Sequence, residues 1–161
     1  MAPSQQVNNR SAFREAYSYR NDPSVPEFAD DKPIIIFDGY CALCTGWAAF
    51  VLRHDKHNRY RLLTAQSELG QSLYVHYGLD PQDYETNILI DKGLAWFKSE
   101  GSIRMAVGLG WPWRAAAILR ILPTRFSDWL YDGIARNRLR WFGKRDACYM
   151  PAPADADRFL S

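Results

Sequence analysis

The chain has 161 residues, 47% hydrophobic and 14% aromatic, enough to close one hydrophobic core and too short for two ordinary domains. Its 20 basic and 18 acidic residues leave a formal charge of +2, a balance that as a whole calls for neither nucleic acid nor an anionic membrane. Three cysteines, an odd number, do not make a disulfide scaffold at this size, and spaced thiols in a reducing compartment point to redox chemistry or metal.

Residues 1–32 hold few aliphatic side chains, contain Pro23 and Pro26, and lack an apolar run of signal-peptide length. Asp22, Glu27, Asp30 and Asp31 also count against an organelle transit peptide, so the expectation is a cytoplasmic protein. Its leader is expected to be loosely ordered, with a short helix around Ser11 to Tyr19. After Pro33 the run Ile34, Ile35, Ile36, Phe37 reads as a strand covered on both faces. Trp47, Phe50, Val51 and His54 then recur at helical spacing, so a helix begins close to Cys41 and runs to about His54.

Tyr60 to Thr64 predicts a second strand, and Ser67 caps a helix that carries Leu69, Leu73 and Tyr77 and stops at Gly78. Ile88 to Ile90 and Leu94 to Phe97, joined by Asp91, Lys92 and Gly93, predict a hairpin. Ser99 or Ser102 caps the next helix, and Gly108 with Gly110 ends it. A βαβ unit, a helix, a β-hairpin and a helix make an α/β fold: a thioredoxin-like four-stranded mixed sheet flanked by helices, over residues 33–110.

A C-terminal helical extension follows over residues 111–150, packed on that core, and residues 151–161 form a tail. Pro112 opens one helix of the extension, through Leu122, and Thr124 caps another through about Asn137. Phe126, Trp129, Leu130 and Ile134 share one helical face, which predicts core packing with arginines on the wet side, against the alternative of a nucleic-acid surface. The longest apolar stretch, Met105 to Leu122, is broken by Pro112, Arg114 and Arg120 and is no membrane span.

The chemistry concentrates in Asp38-Gly39-Tyr40-Cys41-Ala42-Leu43-Cys44. Two thiols three positions apart on an opening helical turn lie on one face, within reach of a disulfide. Cys41, expected to be the exposed one, sits where unpaired N–H groups and the helix dipole favour thiolate. It is the candidate nucleophile, and Cys44, a turn deeper, is the resolving thiol. Asp38 has two readings, a proton acceptor for Cys44 or a cap on the following turn, and both stay open. A phosphoryl-accepting role for Asp38 lacks the second aspartate two residues on, where Tyr40 stands.

These residues resemble the DCC family of thiol-disulfide oxidoreductases, named for its Asp-x-x-Cys-x-x-Cys pattern. The likeness covers roughly residues 33–150 and includes Gln66-Ser67-Glu68-Leu69-Gly70 and the tail from Ala135-Arg136-Asn137-Arg138 through Trp141-Phe142-Gly143 to Cys148. It implies a thioredoxin-like fold and redox activity, with Cys41, Cys44 and Asp38 in the family's two cysteine positions and its aspartate position. In ordinary thioredoxins a cis-proline before the hairpin holds the substrate backbone. Here Thr86 takes that place, with Pro81 too far upstream, and a non-proline cis bond costs about 2.5–4 kcal/mol, so a trans bond is expected. Tyr40 and Thr86 are the candidate substrate-contacting residues.

The expected activity is exchange with a disulfide-containing protein or a small thiol, with no bound cofactor, using a thioredoxin- or glutathione-type electron donor. A non-catalytic interaction module is the alternative. A zinc site built from the cysteines with His54 and His57 has the wrong spacing, since a helix from Cys41 carries His54 about 20 Å along its axis. Cys148 stands either as a third redox thiol or as a packing residue.

Overall fold

The computed structural model describes residues 16–80, 87–147 and 149–160. Four strands, β1 (Ile34–Phe37), β2 (Arg61–Thr64), β3 (Ile88–Asp91) and β4 (Leu94–Phe97), form one sheet in the order β2-β1-β3-β4. The β1 and β2 strands are parallel with Ile35 opposite Leu62, whereas β1 and β3 are antiparallel with Ile35 opposite Leu89. Helix α1 (Ala42–His54) makes the crossover between the parallel pair; α2 (Glu68–His76) and α3 (Lys98–Gly108) follow β2 and β4. This is the thioredoxin-like α/β arrangement that the order of elements predicts.

All four β1 side chains are 0% exposed, because the strand is covered on both sides. Ile34 and Ile36 pack with Leu69, Leu73 and Tyr74 of α2, while Ile35 meets Val51 of α1 and Met105 of α3. Each buried aliphatic side chain contributes about 1.5–3 kcal/mol, so this short strand anchors the core. Of the leader expected to be loosely ordered, residues 16–32 lie against the sheet, with Tyr19 and Val25 buried and Phe28 packed on them. A 3-10 turn covers Ser18–Asn21; the rest of the helix expected around Ser11 to Tyr19 falls mostly outside the described residues.

Several local expectations change in detail. The hairpin turns on two residues instead of three, since Asp91 still pairs with Leu94 and both Lys92 (φ 52°) and Gly93 (φ 77°) are left-handed, as a type I′ turn requires. Neither Ser99 nor Ser102 caps α3; Ser99 Oγ donates to Asp128 Oδ1 and Ser102 Oγ to the Lys98 carbonyl. The helix expected after Pro112 is a 3-10 helix, Trp113–Ile121, none of whose residues is buried. It lies along α3, with Trp113 against Phe50 and His54 and Arg120 paired with Glu100, and buries none of its residues fully.

Helix α4 (Thr124–Phe142) begins at Thr124 without a side-chain cap and outlasts Asn137, whose Nδ2 bonds the Gly133 carbonyl from within the helix. Gly143 (φ 89°) ends it. It packs on α1 and α3 with the reverse of the expected face: Trp129 is 68% exposed, whereas Arg138 is only 6% exposed. The inward side carries Asp128 against Ser99 and Asp132 against Lys98, so polar bonds hold this helix to the core.

Gly70 tests how closely α2 approaches β2. A Cβ there would meet the Thr64 carbonyl oxygen and lie 2.9 Å from the Ala65 Cα, both backbone atoms that cannot swing aside. Gly70→Ala is expected to destabilise the fold by about 1–3 kcal/mol in denaturant unfolding. Gly46→Ala, on an open face of α1, is expected to stabilise it by about 0.5–1 kcal/mol.

Candidate functional site

The C-terminal end of β1 delivers the site. Asp38 follows Phe37 directly, and its Oδ1 accepts the Tyr40 N–H at 2.9 Å, which closes the turn before α1. Gln66, just beyond β2, locks the same turn: its Nε2 donates to Asp38 Oδ1 at 2.6 Å while its Oε1 accepts the Gly39 N–H at 2.9 Å. The capping reading of Asp38 is thus realised in the geometry. Its second oxygen accepts from Arg138 Nη2 of α4 at 3.3 Å, in a pair buried on both sides.

This turn leaves Cys41 as the N-cap of α1, where Cys44 N–H donates to its Sγ at 3.3 Å. The sulfur stands where serine or aspartate oxygen usually caps a helix. Its pKa is lowered from 9.0 to about 6. The Cys44 S–H bond to it contributes most, burial opposes it, and the Cys44 N–H, the Arg138 charge and the Leu43 N–H add to the lowering. Cys44 moves the other way: its bond to Cys41, burial and the negative charges of Cys41 and Asp38 push its thiol up, against Arg138. The two shifts run in opposite directions, favouring thiolate at Cys41 and thiol at Cys44.

Exposure is the point on which the sequence expectation fails. Cys41 is 0% exposed and Cys44 6%. The segment after α4 covers Cys41: Ala42 N–H donates to the Gly143 carbonyl, Arg145 N–H to the Tyr40 carbonyl and Tyr149 N–H to the Gly39 carbonyl, and Cys41 bridges Lys144. Tyr149 seals the end against Phe37, ring centroids 5.8 Å apart. An N-cap position alone predicts an accessible sulfur; a strap from one hundred residues downstream is invisible to local pattern. Cys44 instead lines a mostly apolar cavity of about 180 Å³ between α1, α3 and α4, with Leu43, Trp47, Ile134 and Arg138 in its wall.

Tyr40 is half-buried at the mouth of the strap, its ring 5.8 Å from Lys144 Nζ. Thr86 and Cys148 lie outside the described residues. His54 ends α1 at the opposite pole from the thiols, its Nδ1 2.8 Å from the Phe50 carbonyl and its ring against Phe50 and Trp113. Arg138 and Gln66 are the participants that sequence reasoning missed. Both stand inside the stretches that carry the family resemblance, which was the available signal.

Because the pKa of Cys41 is about 6, its rate of alkylation in the reduced protein should fall as pH drops through 6 and level off above it, whereas an ordinary cysteine is still rising toward 9.0. Arg138→Met is expected to move that midpoint upward, and Arg138→Lys to keep most of the shift. A stopped-flow pH series with a thiol alkylator, read by peptide mass at Cys41, checks both.

Residues 35–144 match the family described as DCC1-like thiol-disulfide oxidoreductases. The uncharacterized protein YuxK of Bacillus subtilis is 35% identical over 127 residues, 79% of this chain and 93% of that protein. A DCC family protein of Arabidopsis thaliana, described as chloroplastic, is 32% identical over 143 residues, 88% of this chain and 83% of that protein. No solved structure matches significantly. With the Asp-x-x-Cys-x-x-Cys loop at the end of β1 and the match running through Arg138 to the strap, the chain belongs to the DCC1-like thiol-disulfide oxidoreductase family.

Proposed function

We propose that Cys41 and Cys44 form the working dithiol/disulfide couple of a thiol-disulfide oxidoreductase. The observation that carries this reading is the asymmetry of the pair: Cys41 is held as thiolate at neutral pH by donors aimed at its sulfur, and Cys44 is held as thiol beside it. Cys41 Sγ attacks one sulfur of a partner disulfide, forms a mixed disulfide and releases the other sulfur as thiolate. Cys44 loses its proton, attacks Cys41 Sγ and releases the partner's second thiolate, so two electrons pass from the couple to the partner.

Asp38 takes the Cys44 proton through water in this scheme, since its charge already raises that thiol. Tyr40 and Thr86 are the residues that contact the incoming disulfide, and the strap of residues 143–147 with Tyr149 lifts to admit it. A disulfide-containing protein or a small disulfide is the oxidant, and a thioredoxin- or glutathione-type donor returns the electrons. Among the described residues no helix is long and apolar enough to cross a membrane. A cytoplasmic location, where donors keep thiols reduced, suits such a couple.

A second reading, a non-catalytic interaction module, has the burial of Cys41 in its favour. Trapping separates the two. Cys44→Ser is expected to accumulate a mixed disulfide through Cys41 with glutathione disulfide or an oxidised protein, and Cys41→Ser is not. Intact-mass measurement before and after dithiothreitol reads the adduct. A Cys44→Ser protein that forms no adduct, even after Tyr149→Ala loosens the strap, supports the interaction module.

A further inference from the structure

The outer face of α4 is built the wrong way round for a helix that serves only to pack. Phe126, Trp129, Leu130, Ile134 and Trp141 recur at helical spacing, and all five are exposed. The chain just before α4 continues the pattern, with Ile121 82% exposed beside Leu122. Phe126 and Trp129 stack on one another, ring centroids 6.1 Å apart, so the patch is preformed.

The charges around it are one-sided. Arg125, Arg136 and Arg140 are exposed and make no salt bridge among the described residues, while the two carboxylates of α4 are engaged inward, Asp132 with Lys98 and Asp128 with Ser99. An apolar face with tryptophans, flanked by unpaired arginines, fits the boundary between acyl chains and anionic headgroups. A second copy docked face to face would oppose its own arginines, and a nucleic acid offers no counterpart to Ile121, Leu130 and Ile134.

We propose that this face seats the protein on the surface of a membrane rich in anionic phospholipid, as a peripheral contact without a span. The thiol pair lies on the opposite, inward side of the same helix through Arg138, so a seated protein keeps its redox site beside the bilayer surface.

The test uses the reduced full-length protein with extruded vesicles. Sedimentation with phosphatidylcholine vesicles containing phosphatidylglycerol is expected to capture it, with a blue shift in tryptophan emission and release by salt, and pure phosphatidylcholine vesicles much less. Arg125→Gln and Arg140→Gln should each weaken capture about fivefold. Trp129→Ser, at a largely exposed position outside the core, should weaken it about tenfold or more while leaving the Cys41 alkylation profile unchanged. Absence of capture by anionic vesicles, capture that ignores Trp129→Ser, or a stable dimer that loses tryptophan exposure without lipid would each overturn the proposal. Preferential binding of a single-stranded oligonucleotide through the same residues would overturn it too. None of these readouts depends on disulfide exchange.

Discussion

The bond between Asp38 and Arg138 joins the two parts of this molecule and sets the chemistry between them. Asp38 ends the most deeply buried strand, and Arg138 lies in α4, one hundred positions away in the chain. Both side chains are withdrawn from water, so each needs the other: removing either leaves a buried charge uncompensated, a loss of about 3–5 kcal/mol in comparable sites. Such a pair adds less to stability than to arrangement. It dictates that α4 presents Arg138 and Ala135 inward, and this in turn leaves the aromatic face outward.

The same guanidinium reaches the sulfurs electrostatically. Cys41 is fully buried, and burial alone would raise its pKa; it is lowered because hydrogen-bond donors from Cys44 and Leu43, with Arg138 behind them, outweigh desolvation. Helix position explains the backbone part of this. The bond from the Cys44 thiol explains the largest part, and that same bond pushes the Cys44 thiol up. In the proposed exchange, the order of attack follows from which sulfur donates and which accepts.

The strap of residues 143–147 with Tyr149 changes what the pair can meet. Three backbone hydrogen bonds and a Tyr149–Phe37 contact close over Cys41, while Cys44 borders an apolar cavity under α4. A thiolate kept dry is protected from adventitious oxidation, and its exposure becomes a local opening whose free energy is set by few buried contacts.

Much of the core was legible because its signals are local. A β-branched run without alternation is a doubly covered strand, the first of two cysteines three apart after a strand end caps a helix by accepting the N–H of the second, and Ser67 caps α2 through the Gly70 N–H as its position suggested. Asp38, Cys41 and Cys44 could be singled out for the same reason: spacing along one turn implies adjacency. What spacing cannot carry is contact between distant segments. The sequence by itself determined the sheet, the helix that Cys41 caps and the membership of the DCC1-like family. Only the tertiary structure decided that Arg138 goes in while Trp129 stays out, that Gln66 braces the turn, and that Cys41 lies under a strap. Each of those depends on a charge or backbone group meeting its partner across the fold, and helical periodicity does not distinguish a face turned toward a buried carboxylate from one turned toward water.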